Sequence, residues 1–140
     1  MHMKSIMIRS VERSSSKKPE ELIRWFCYAF GLSNDEETGI EEQILIRFAY
    51  AAKKNEGIPS SAITIKPEIA RSTIIYHLNR LIDSGLIVKK GRKYYLRATE
   101  MSKAIEEIEY DLNREIMKML AAAKEFDRLI NQKGRNVKIR

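Results

Sequence analysis

Residues 70–96, ARSTIIYHLNRLIDSGLIVKKGRKYYL, hold the side chains whose types and spacing best suit chemistry, and the chemistry they suit is recognition of a polyanion. On a helical wheel Ile74, Leu78, Leu81 and Ile82 share one face. Ser72, Tyr76 and Asn79 lie opposite, with Thr73 and Arg80 on one shoulder and Ile75 on the other. That outer face donates and accepts hydrogen bonds, and it holds one carboxylate, Asp83. A helix so built fits a major groove while its apolar face stays in a core. Beyond it, Leu86 to Leu96 reads as a hairpin that gathers Lys89, Lys90, Arg92 and Lys93 around Gly91. Cations on a protruding turn are well placed for phosphates.

The charge distribution points the same way. The chain has 26 cationic and 19 anionic residues, net +7, unevenly spread. Residues 57–98 hold eight cations and two anions, and residues 1–18 five and one. Residues 133–140 hold four cations and no anion. The intervening stretches are acidic, with four cations and eight anions over 19–56 and five and eight over 99–132. Local basic excess points to a polyanion, the alternative being an ordinary basic surface. No nucleophile–base pair, phosphate-cradling glycine loop or metal-ligand spacing supports catalysis, so neither an enzyme nor a cofactor is expected. Glu106, Glu107, Glu109 and Asp111 read as a solvated helix face rather than a metal site.

At 140 residues and 44% hydrophobic composition the chain suits one domain with a core that needs no disulfides. The lone Cys27 lies in an apolar run and reads as a small core residue. One cysteine fits a reducing, cytoplasmic setting. No apolar stretch approaches a membrane span, and the N-terminus MHMKSIMIRS lacks a secretory pattern, so no membrane partner is expected.

The elements that must position these residues follow from periodicity and punctuation. Residues 1–18 read as a flexible basic lead-in, with Ile6, Met7 and Ile8 as a candidate edge strand. Pro19 opens a helix, Glu20 and Glu21 complement its dipole, and Gly31 stops it. A loop with Ser33, Asn34 and Asp35 follows. Thr38 and Glu41 have capping-box spacing and start a second helix to about Asn55, burying Ile40, Ile44, Leu45, Phe48 and Ala52. Ser61 to Ile65 reads as a short third helix, broken at Lys66–Pro67. The groove-facing helix then runs from Glu68 or Ala70 to Ser84, and Gly85 ends it.

Thr99 starts a long helix to about Asn131. Ile105, Ile108, Leu112, Ile116, Met119, Ala123, Phe126 and Ile130 recur on it at heptad-like steps. Thirty-odd helical residues span roughly 45 Å, more than a small domain buries within itself. The seam therefore predicts a homodimer. Residues 19–98 form the DNA-binding region in this division, 99–132 the dimerisation helix and 133–140 a basic tail.

The order helix, short helix, helix, hairpin, long helix resembles a winged helix-turn-helix domain with an added N-terminal helix and a long C-terminal dimerisation helix, a mainly α fold with a small β-hairpin. At RSTIIYHLNRLIDSGLI the chain is similar to ArsR/MarR-type transcriptional regulators, with Gly85–Leu86–Ile87 at the turn into the wing and Tyr94–Tyr95–Leu96 on its returning strand. The likeness covers about residues 40–100. It implies that Arg71, Ser72, Thr73, Tyr76, His77 and Arg80 fall where family members touch DNA, with Lys89, Lys90, Arg92 and Lys93 on the wing; the alternatives are packing under the wing for Tyr76 and, more often at this position, a structural hydrogen bond for His77. The chain departs from the family in having Pro67–Glu68 where a glycine is usual and Ala70 where a serine or threonine cap is usual. With one cysteine and the two histidines His2 and His77, it lacks the ligand set of the metal-sensing branch.

The expected function is therefore a transcription regulator that binds double-stranded DNA as a homodimer, its two recognition helices one DNA turn apart. The rivals are a winged-helix docking module in a transcription or replication assembly and an RNA-binding protein. Trp25, Phe26, Phe30, Phe48 and Tyr50 could line a pocket for a small-molecule effector; aromatics at helical spacing more often form core, so no effector is assigned.

Overall fold

The computed structural model describes residues 5–13, 15–32, 39–65 and 69–133. The Ser33–Asn34–Asp35 loop, Thr38 of the expected capping box, the Lys66–Pro67–Glu68 turn and the tail beyond residue 133 lie outside the described residues. The chain divides into two compact units, Met1–Glu106 and Glu107–Arg140.

The first unit is mainly helical with a small antiparallel sheet. Helix α1, Pro19–Ala29, has proline in its first turn and acids at Glu20 and Glu21. It ends in a Schellman motif: Leu32 N–H donates to Cys27 O at 2.7 Å and Gly31 N–H to Tyr28 O at 3.0 Å. Gly31 takes the left-handed φ of +67° that this motif requires. Helix α2, Ile40–Ala52, starts from Gly39 with no side-chain cap. Strand β1, Ile58–Pro59, leads into a 3-10 turn at Ser60–Ala62, which replaces the expected third α-helix. Helix α3, Arg71–Asp83, is followed by β2, Ile87–Lys90, and β3, Lys93–Leu96.

The sheet order is β1-β3-β2. In the hairpin Ile87 faces Leu96, Val88 faces Tyr95, Lys89 faces Tyr94 and Lys90 faces Lys93. Gly91 supplies a φ of +63° at the first position of the two-residue loop, where a type II′ turn needs it. β1 pairs with the other edge of β3, Ile58 opposite Tyr94. A proline is tolerated there because β1 is a short edge strand. The pairing of β1 has no counterpart among the elements that periodicity predicts.

Helix α2 packs on α1, α3 and β3, and α3 packs on β2. Cys27, Ile44, Leu45, Phe48, Leu78, Leu81, Leu86 and Ile87 form the centre of the core, each at 1% exposure or less. The N-terminal residues are not a free lead-in. Without regular secondary structure, they are held by Arg9 N–H donating to Ala29 O at 2.7 Å and by Trp25 Nε1 donating to Val11 O at 3.0 Å. Met7 lies so close to Gly31 that a Cβ there would sit 2.5 Å from its Sδ. Ile6, Met7 and Ile8 pair with no strand among the described residues.

Helix α4, Met101–Lys133, supplies the whole described part of the second unit. Its exposed apolar side chains include Ile116, Met119, Leu120, Phe126 and Ile130. Of the expected seam, Ile105 and Leu112 are half-buried and Ile108 is buried, so its open part begins at Ile116. Among the described residues no helix is long and apolar enough to cross a membrane.

Candidate nucleic-acid interface

The outer face of α3 is set by the inner one. Ile74, Leu78 and Leu81 are anchored in the core at 4% exposure or less. Ser72, Tyr76 and Asn79, one turn apart in succession, are thereby turned to solvent, and Tyr76 is 59% exposed. Thr73 is half-buried on the shoulder. Among the described residues no side chain caps α3, and its first turn carries no acid.

Three of the residues expected to touch DNA have internal partners instead. His77 is buried, and its Nδ1–H donates to Glu41 Oε1 at 2.6 Å. A carboxylate only accepts, so with Glu41 in that form the contact requires the Nδ1–H form of the ring. Arg80 Nη1 donates to the same oxygen, also at 2.6 Å, and its Nη2 donates to Gly31 O at 3.2 Å. One guanidinium thus ties α3 to the start of α2 and to the end of α1. Arg71, on the first turn of α3, donates to the carbonyls of Ser60 and Ser61 in the 3-10 turn. His77 and Arg80 therefore act as struts within the domain. The physical reason is Glu41, a carboxylate at 0% exposure whose burial requires donors. Arg71 stays exposed but holds the turn before α3.

Capping-box spacing predicts that Glu41 bonds backwards to its own helix start. It instead faces inward, three and four residues before the buried Ile44 and Leu45. That spacing is the signal that distinguishes the two roles: Glu41 falls on the apolar face of its own helix.

The hairpin carries the other four expected residues. Lys89, Lys90, Arg92 and Lys93 are all exposed. Lys89 Nζ lies 5.4 Å from the ring centre of Tyr94, its direct cross-strand neighbour, and Lys90 Nζ lies 5.5 Å from that of Tyr95, its diagonal neighbour. The rings restrain the lysine stems while the ammonium groups stay in water. Tyr95 in turn lies over Gly57, where a Cβ would meet its Cζ at 2.4 Å. Lys90 and Lys93 are directly opposed across the ladder. Like charges so placed repel, and the repulsion is relieved when an anion sits between them.

Of the aromatics considered for an effector pocket, Phe48 is in the core and Trp25 packs edge-on against Phe26 with ring centres 5.4 Å apart. Phe26 and Tyr50 line a largely apolar cavity of about 410 Å³ with Leu22, Ile46, Ala49 and Met101. Nothing in its lining fixes the chemistry of a ligand.

Comparison with protein-family models, with curated proteins and with solved structures finds no match.

Proposed function

We propose that the chain is a winged-helix transcription regulator that binds duplex DNA as a homodimer. The reading rests first on the element order α2, β1, turn, α3, β2, β3 with the sheet order β1-β3-β2, which is how a winged helix threads its strands. The observation that carries it is the pairing of two surfaces in one unit. A helix face offers Ser72, Tyr76 and Asn79 outward, and a two-residue hairpin carries four exposed cations, two of them directly opposed. Base edges are read by the first kind of surface and phosphates by the second. Arg71 and Arg80 position α3 rather than meet the duplex. The open apolar stripe of α4 is the homodimer surface, and it explains why two copies would read one site.

Selection of bound sequences from random duplex DNA tests this. The expected result is an enriched palindrome. Retention without any enrichment would reject sequence reading by α3 and favour a docking module on the same fold.

A further inference from the structure

The second unit exposes Ile116, Met119, Leu120, Phe126 and Ile130 to between 38% and 65%. At 100° per residue Ile116, Met119, Ala123, Phe126 and Ile130 form one stripe. A stripe of that size on a soluble chain marks a contact surface. The distribution of charge along the same helix says which way its partner runs. Residues 100–115 carry six anions and two cations. Residues 116–133 carry four cations and two anions. Glu106, Glu107 and Glu109 are exposed in the first stretch, and Lys118, Lys124 and Arg128 in the second. Lys118 and Arg128 bond along the helix to Glu115 and Glu125, which leaves the net sign of each stretch unchanged.

Two such helices side by side in parallel would set acid against acid and base against base. Antiparallel, each acidic half faces a basic half. We propose that α4 pairs with α4 of a second copy antiparallel, the two helices crossing between Met119 and Ala123. The sign of charge changes just before that segment, and the exposed stripe from Ile116 to Ile130 is centred near it. This inference rests on the homodimer reading and adds the direction of its helices, which the apolar seam alone leaves open.

Nitroxide labels at Asn131→Cys and, separately, at Asn113→Cys distinguish the arrangements by pulsed dipolar spectroscopy. Both asparagines are exposed, and the native Cys27 is fully buried, out of reach of a thiol label in the folded chain. For a crossing near residue 121, two labels at 131 lie about 30 Å apart along the pair and two at 113 about 24 Å, at 1.5 Å per residue. A parallel pair would hold either set at about 10 Å, the spacing of packed helices, and would broaden the continuous-wave spectrum. Distances near 30 and 24 Å are expected. Short distances at both sites would overturn the antiparallel pairing and leave the homodimer standing. No dipolar coupling at either site at about 100 μM protein, well above a micromolar Kd, would overturn the homodimer and this inference together.

Discussion

Replacing Arg80 by alanine should destabilise the fold far more than it weakens DNA contacts. Its guanidinium gives Glu41 Oε1 one of two donors held at 2.6 Å, and the carboxylate it serves is at 0% exposure. Hydrogen bonds to charged groups contribute about 1.5–3 kcal/mol each, and removing one partner of a buried pair costs about 3–5 kcal/mol. The Arg80 side chain is itself 27% exposed, so the pair is not fully desolvated and the lower end applies. Arg80→Ala should therefore cost about 3 kcal/mol, read by urea denaturation followed through the helical circular dichroism signal. Glu41→Gln keeps the shape and an acceptor but removes the stranded charge. The double variant should then be no less stable than Arg80→Ala alone, a coupling of at least about 1 kcal/mol between the two sites.

DNA binding by the double variant decides what Arg80 is for. If the guanidinium is a strut, relieving the stranded carboxylate should restore most of the affinity for a preferred site. An Arg80→Ala variant within about 0.5 kcal/mol of the unmodified chain would refute the buried network. A tenfold loss of affinity in a double variant that folds normally, about 1.4 kcal/mol, would show that Arg80 acts on the DNA itself.

Three further outcomes follow from the same geometry. Tyr76→Ala, at a 59% exposed position, should leave stability within about 0.5 kcal/mol but cost about 1–3 kcal/mol on a preferred duplex and much less on random DNA; an unchanged ratio of the two affinities in filter binding would remove Tyr76 from sequence reading. Arg92→Ala should weaken both duplexes alike and flatten the log–log salt dependence by about one unit for each phosphate left without its cation, from an initial slope on the order of −5 or steeper; an initial slope near zero would reject the electrostatic footprint. Gly57→Ala should cost about 1–3 kcal/mol, because its Cβ would overlap the Tyr95 ring that lies beside Lys90; thermal denaturation unchanged by the substitution would show that the ring moves aside freely.

What could be read from the chain, and what could not, divides by distance along it. The ends of α1 were legible because Pro19 and Gly31 act on their own neighbours. The two faces of α3 were legible from a period of 3.6, and the hairpin turn from Gly91 among four cations. β1 was not, since two residues have no period and its partner Tyr94 lies 36 positions on. The attachment of residues 5–13 rests on backbone groups and one indole N–H, which carry no sequence signature. Thr38, which stands three residues before Glu41 at capping spacing, lies outside the described residues, whereas two partners of Glu41 are 36 and 39 residues later, beyond the reach of any local rule.

The same distinction changes how the charge of residues 57–98 bears on function. The eight cations of that stretch are not equivalent. A guanidinium beside an acceptor is already partnered, and both described arginines of α3 have one: Arg71 at the Ser60 and Ser61 carbonyls and Arg80 at Glu41 and Gly31. A lysine over a tyrosine is partnered differently, since a ring restrains the stem without neutralising the ammonium. In the proposed reading the hairpin lysines therefore keep their charge for phosphate, whereas Arg71 and Arg80 hold α3 in place. Affinity for phosphate should reside in the hairpin and orientation in the arginines. A protein built that way loses stability when Arg80 alone is removed from Glu41, and loses salt sensitivity when the hairpin cations are.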